Sequence, residues 1–253
     1  MNNLPSFASQ DAQKAYNCLK EDLTWILNFS GQFWNWPSLA NITAPTLMKL
    51  LAIHSHLKKT SYLQGSILEF GAHTFTKLKV IRHVLQLIEN EGTQRSLFGF
   101  DHFKGYKLGA SPLVDVTSNP NADLFKIENS QEVRDSVNLF NTATKVIYGT
   151  PNEIFLVEGE LPNSYYRVQE AIGAISLCYF DFQDAKVMSR LVPMVLNHCH
   201  DGALLVFEGV GLDFFPEVTK YVDSLIQKNK RVKSLDIENR IPFSTVVEVQ
   251  GLN

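Results

Sequence analysis

Cysteine is scarce in this chain of 253 residues: Cys18, Cys178 and Cys199 make an odd set with no Cys-x-x-Cys spacing. Neither a disulfide framework nor a zinc pattern is indicated, and three reduced thiols suit the cytoplasm. Charge of one sign is also missing. Lys and Arg number 23 against 26 Asp and Glu, a formal net charge of −3, and the longest basic feature is the pair Lys58-Lys59. A nucleic-acid partner, which shows as a basic stripe, is not expected. No apolar run approaches the roughly 18 residues of a membrane span. The opening Met1-Asn2-Asn3-Leu4-Pro5 has neither the basic region nor the apolar stretch of a signal peptide. There are no repeats and no low-complexity tract. On these absences neither a nucleic acid nor a membrane is expected as a partner.

What the chain does have is apolar matter, 45% hydrophobic and 11% aromatic residues, enough for one large α/β domain. Residues 1–42 read as a separate cap. Ala15, Leu19, Leu23 and Leu27 recur at spacing four, which predicts a helix over Asp11–Leu27, and Phe29, Phe33, Trp34 and Trp36 follow before Pro37. Those aromatics read either as a lid over a substrate or as a seal on the domain. Thr43-Ala44-Pro45 predicts a helix start, with the helix running to about Lys59. From Ser66 the pattern alternates strand and helix, which predicts a parallel sheet covered on both faces. Strands are expected at Ser66–Phe70, Ser96–Phe100, Ile154–Val157, Ala174–Phe180 and Gly202–Phe207, with two closing strands at Val232–Ile237 and Thr245–Val249. Helices are expected over Leu78–Leu87, Gln131–Leu139, Val187–Asn197 and Glu217–Lys228. Residues 105–130, rich in Gly, Pro, Ser and Asn, read as a surface loop. The fold expected is thus α/β and Rossmann-like, a seven-stranded mostly parallel sheet with helices on both faces and an N-terminal helical extension.

Acids recur where those strands end: Glu69, Asp101, Asp181 and Glu208. Open α/β sheets bind ligands at that edge, and caps of the following helices would place some acids there too.

Gly65-Ser-Ile-Leu-Glu-Phe-Gly71 and Leu97-Phe-Gly-Phe-Asp-His-Phe-Lys-Gly105, followed in order by Leu156–Pro162, Ile175–Asp181 and Gly202–Glu208, resemble the macrocin O-methyltransferase family. That family belongs to the class I enzymes dependent on S-adenosylmethionine (SAM). The likeness runs from about Thr43 to the C-terminus and implies a SAM-binding domain over 43–253. It implies that Gly71 and Ala72 admit the cofactor close to the backbone and that Glu69 meets its amino group. Asp101 would accept the ribose hydroxyls, although it also reads as a turn cap, and His102 would pack on adenine or ribose. Gly159 and Glu160 would lie near adenine, or form an exposed turn. Among catalytic candidates, Asp181 would act at the substrate hydroxyl. His73 reads equally as a general base, whose usual pKa suits neutral pH, and as a loop or capping residue. Homodimers are common in the family.

Family members that use a divalent metal carry Asp-x-Asp after the fourth strand and a pair of acids after the fifth. Here Gln183 stands for the second acid of the first motif, and Gly209 follows Glu208. Asp181 and Glu208 remain as ligands for Mg²⁺, a poor set for a cation that wants several oxygens. Metal dependence is therefore expected to be weakened or lost. Ala72-His73-Thr74-Phe75-Thr76-Lys77 replaces a glycine-rich loop, and Phe75 would crowd the methionine end of SAM or line the substrate pocket. The activity expected is methylation of a small molecule, on oxygen in natural-product biosynthesis. The alternative is a SAM-binding-fold protein that no longer methylates. A nicotinamide-dependent oxidoreductase is disfavoured because no Gly-x-Gly-x-x-Gly follows the first strand.

Overall fold

A computed structural model describes residues 44–88, 95–107, 123–127, 129–149, 153–212, 215–237, 241 and 243–251. The expected cap over 1–42, with its aromatic cluster, lies outside the described residues, as do Thr43 and Pro242. The chain begins with α1 (Ala44–Lys59), β1 (Ser66–Phe70), α2 (Thr76–Ile88) and β2 (Leu97–Asp101). Strands β3 (Lys104–Lys107) and β4 (Asp123–Lys126) precede α3 (Ser130–Tyr148), β5 (Ile154–Glu158) and α4 (Asn163–Ile172). The remainder is β6 (Ile175–Phe180), α5 (Ala185–Leu196), β7 (Cys199–Glu208), α6 (Pro216–Lys228), β8 (Val232–Leu235) and β9 (Ser244–Val249).

Seven strands form one sheet in the order β5-β2-β1-β6-β7-β9-β8. The first five are parallel, and β9 runs antiparallel to both β7 and β8. The expected Rossmann-like architecture is the one observed. Strands β1 and β6 are buried at every position, as continuous apolar runs covered on both faces must be. Their alternation divides the core in two. Ile67, Leu97, Tyr179 and Val206 face a layer made by α1, α2 and α3, with Leu57, Leu78, Ile81 and Phe140 packed against them. Leu68, Cys178 and Leu205 face α4, α5 and α6 through Tyr165, Leu191, Val192 and Val222. On this second face a row of phenylalanines crosses four strands just behind their carboxyl ends. Ring centroids lie 4.7 Å apart for Phe70 and Phe100, 5.3 Å for Phe70 and Phe180, and 4.8 Å for Phe180 and Phe207.

Several elements differ from expectation, among them α4, which was not expected. The helix expected over Gln131–Leu139 continues to Tyr148, where Gly149 ends it in the left-handed region at φ 65°. Its second half carries β-branched residues that read poorly as helix, but the Thr142 and Thr144 hydroxyls donate back to the carbonyls of Asn138 and Phe140. The stretch expected as a loop holds the antiparallel pair β3–β4. Strand β7 begins at Cys199, three residues before the expected Gly202. At the sheet edge, the Asn141 amide bridges β5 like a strand partner, donating to Ile154 O at 2.9 Å and accepting from Ile154 N at 3.0 Å.

Candidate active site

From β1 the chain builds outward in both directions, so β1 and β6 flank the point where the strand order reverses, the usual place for a ligand crevice. A cleft opens there at the carboxyl ends of the strands. Gly71, Asp101, His102, Gly159 and Glu160, placed together by expectation, all line it, with Phe100, Leu161, Phe182, Asp184 and Val187. Gly71 has φ +85°, and a Cβ on it would stand 2.2 Å from the carbonyl oxygen of Asp181; only glycine lets β1 end this close to the end of β6. Asp101 has its carboxylate aimed by two backbone donors. Its Oδ2 accepts from His73 N at 2.9 Å and its Oδ1 from Phe103 N at 2.7 Å. Each oxygen keeps a lone pair for a further donor. His102 Nδ1 accepts from Lys104 N at 3.0 Å. The Lys104 ammonium donates to Glu160 at 2.7 Å, and this contact holds the Glu160 carboxyl below its ordinary range.

Glu69 and Ala72 are not in that lining. Ala72 is buried in the core, its N–H donating to Phe100 O. Glu69 takes part in a second constellation beside the cleft, which the sequence did not suggest. The Lys77 ammonium lies 3.1 Å from Glu69 Oε1 and 2.7 Å from Asp181 Oδ2, and it also contacts Glu208 Oε1. Side-chain exposure falls from 38% at Asp181 to 14% at Lys77, 9% at Glu208 and 2% at Glu69, so the cluster reaches solvent through Asp181. The ammonium also lies 5.2 Å from the centre of the Tyr179 ring, and the Tyr179 hydroxyl is 3.0 Å from His56 Nδ1. Lys77 belongs to the first turn of α2, where the helix dipole disfavours a cation and no acid of the helix itself compensates. The three carboxylates from the strand ends supply that compensation.

These contacts set the protonation states. Burial pushes the Glu69 carboxyl up to about 8 against the pull of Lys77. Burial alone would lower the Lys77 pKa, but Glu69, Asp181 and Glu208 together outweigh it and hold the ammonium charged. Glu208 is raised by burial in spite of Lys77.

Asp181 and Glu208 close on an ammonium, and among the described residues no group of three or more His, Cys, Asp or Glu is arranged to hold a metal. Gln183 and Gly209 form a matched pair. The Gln183 amide donates to Glu208 O at 3.3 Å, and a Cβ on Gly209 would stand 2.4 Å from Gln183 Nε2. Asp184 caps α5 by accepting from Val187 N. Phe75 neither crowds nor lines the cleft: at φ 62° its ring turns into the core, fully buried over Gly99. His73 stands half-buried at φ 47° beside Asp101, while His56 is a core residue and His54 is exposed.

No protein-family model matches the chain, and no curated protein matches it in sequence. Solved structures match it in fold. The chain is similar to CalS11, the calicheamicin methyltransferase, at 16% identity and a TM-score of 0.68 over 96% of this chain and 94% of that one. It is similar to the O-methyltransferase NovP at 12% identity and a TM-score of 0.58 over 81% of each chain. It is also similar to PaMTH1, a methyltransferase of Podospora anserina bound to S-adenosylhomocysteine (SAH), at 13% identity and a TM-score of 0.51 over 99% of this chain and all of that one. The fold is the Rossmann-like fold of class I SAM-dependent methyltransferases. Among the described residues no helix is long and apolar enough to cross a membrane.

Proposed function

We propose that the chain is a SAM-dependent methyltransferase of small molecules, related to the macrocin O-methyltransferases, that methylates an oxygen of a specialised metabolite and requires no metal. The observation that carries this reading is Asp101, its carboxylate aimed by His73 N and Phe103 N within a cleft that also gathers Gly71, His102, Gly159 and Glu160. A carboxylate so fixed suits the two vicinal hydroxyls of a ribose, and glycines at two strand ends let a ligand approach the backbone. SAM, when bound, supplies an activated methyl group. The protein's part is to align the substrate oxygen and remove its proton. Asp181 suits that second task as the exposed member of the Lys77 cluster, and His73 beside Asp101 is the other candidate. Metal independence is supported by the ammonium in contact with all three strand-end carboxylates.

Binding of SAM and SAH by calorimetry, with a mass search of metabolite pools for a product heavier by CH₂, tests the reading. Asp101→Ala is expected to abolish SAH binding while the protein stays folded. If that variant bound SAH as tightly as the parent, the cofactor site would lie elsewhere. A second reading, a SAM-binding protein that does not methylate, is favoured by one observation: the Lys77 ammonium ties up every acid of the cluster. Tight SAH binding with no methylated product would select it.

A further inference from the structure

The cluster around Lys77 is an unusual use of buried charge. Three carboxylates from the ends of β1, β6 and β7 converge beside the cleft, and one ammonium from the start of α2 contacts all of them. Glu69 and Glu208, desolvated in this way, need a cation, because an unpaired buried acid costs far more than a paired one. Four observations match the surroundings to an ammonium. Its three donors have three acceptors. Its charge lies against the face of the Tyr179 ring, 5.2 Å from the centroid, a contact suited to an organic cation. The Gln183 amide is anchored on Glu208 O, where it brings a neutral group rather than a further acid. Gly209 is the residue that leaves room for that amide, since any side chain there would meet it.

We propose that Lys77 is the resident cation of this active site, its ammonium standing among Glu69, Asp181 and Glu208 where a divalent metal would otherwise be held. It offsets part of the negative charge of the strand-end acids and pins Asp181 Oδ2, and Asp181 is the member of the cluster most open to solvent. Lys77 is a positioning residue, acting through Asp181. The proposal rests on the methyltransferase reading only for the purpose the cluster serves.

The test uses the full chain and Mn²⁺ as probe, a hard cation that takes carboxylate ligands and reports its own binding by electron paramagnetic resonance. The wild-type protein is expected to take up no stoichiometric Mn²⁺. Lys77→Met, which keeps the stem and removes the charge, is expected to bind one Mn²⁺ roughly tenfold tighter or more than the wild type. Adding Asp181→Asn is expected to abolish that gain, an outcome that loss of packing at Lys77 would not produce. A wild-type protein that binds one Mn²⁺, released by Asp181→Asn, would overturn the proposal. So would a folded Lys77→Met that binds Mn²⁺ no better than the wild type. Should Lys77→Met fail to fold by circular dichroism, Lys77→Gln takes its place, and the wild-type measurement still decides by itself. SAH binding by the wild type, measured separately, reads the methyltransferase proposal, so the two can fail independently.

Discussion

One small residue holds a site loop in place by leaving space. Gly99 lies in the middle of β2, and a Cβ there would stand 2.3 Å from Phe75 Cε1 and 2.7 Å from Leu78 Cδ1. The Phe75 ring fills this space because its backbone, at φ 62°, turns it inward from a loop that the family resemblance would fill with glycine. Gly99→Ala is expected to destabilise the protein by about 1–3 kcal/mol, the usual cost of overpacking a filled core. Combined with Phe75→Leu it is expected to cost clearly less than the sum of the two single changes, because the residues share one space. Urea unfolding of the four proteins of the cycle measures this, and strict additivity would show that the ring and the glycine do not meet. Neither partner betrays the other in the sequence: Phe75 looks misplaced in a cofactor loop, and Gly99 is one more glycine in an apolar run. Lys77 was hidden for a related reason. The strand-end acids were legible, but nothing in the sequence shows that three of them converge on a cation carried by the first turn of the following helix.

At the scale of elements, the alternation of strand and helix was legible because each strand is an apolar run closed by an acid or a glycine. Contacts between elements were not. Helix α1 is a case in point. Its spacing predicted the helix, but its docking depends on His56, buried against the end of β6 with Nδ1 3.0 Å from the Tyr179 hydroxyl. Burial, with the Lys77 charge adding to it, lowers the His56 pKa to about 4. The sign follows from which state binds the proton. In the unfolded chain the imidazole titrates near 6.5, so between about 6.5 and 4 the unfolded state holds more protons than the folded one. The stabilising contribution is complete above pH 6.5 and is lost as the pH falls towards 4. Between pH 7 and pH 5 this one group is expected to remove about 2 kcal/mol of stability. His56→Gln is expected to be the weaker protein at pH 7 and yet to lose about 2 kcal/mol less than the parent on going to pH 5. Urea denaturation at the two pH values checks it, and equal losses would mean that His56 is charged in the folded state.

Across the whole molecule, the cleft is held from both sides of the sheet. On one face stands the charged cluster, pinned by α2. On the other runs the row of Phe100, Phe70, Phe180 and Phe207, whose first member also lines the cleft. Parallel alignment of four strands brings these rings into one row, because residues in register on neighbouring strands point to the same face. Phe180 is the middle of the row, fully buried between Phe70 and Phe207. Phe180→Ala is therefore expected to cost about 3–5 kcal/mol, the range for deleting a buried ring whose neighbours cannot close the gap. The ring itself is not in the cleft lining, so the loss belongs to folding rather than to the Asp101 carboxylate or its two backbone donors. A ligand that binds only the folded state adds stability by mass action, about 2.7 kcal/mol at 100 times its dissociation constant. On the proposed function, SAH at that excess, set from each protein's own dissociation constant, is expected to stabilise wild type and Phe180→Ala by the same increment, with the dissociation constant itself little changed. Calorimetric binding with urea unfolding in parallel separates the two quantities. A dissociation constant weakened in step with the lost stability would mean that the aromatic row shapes the cofactor site directly.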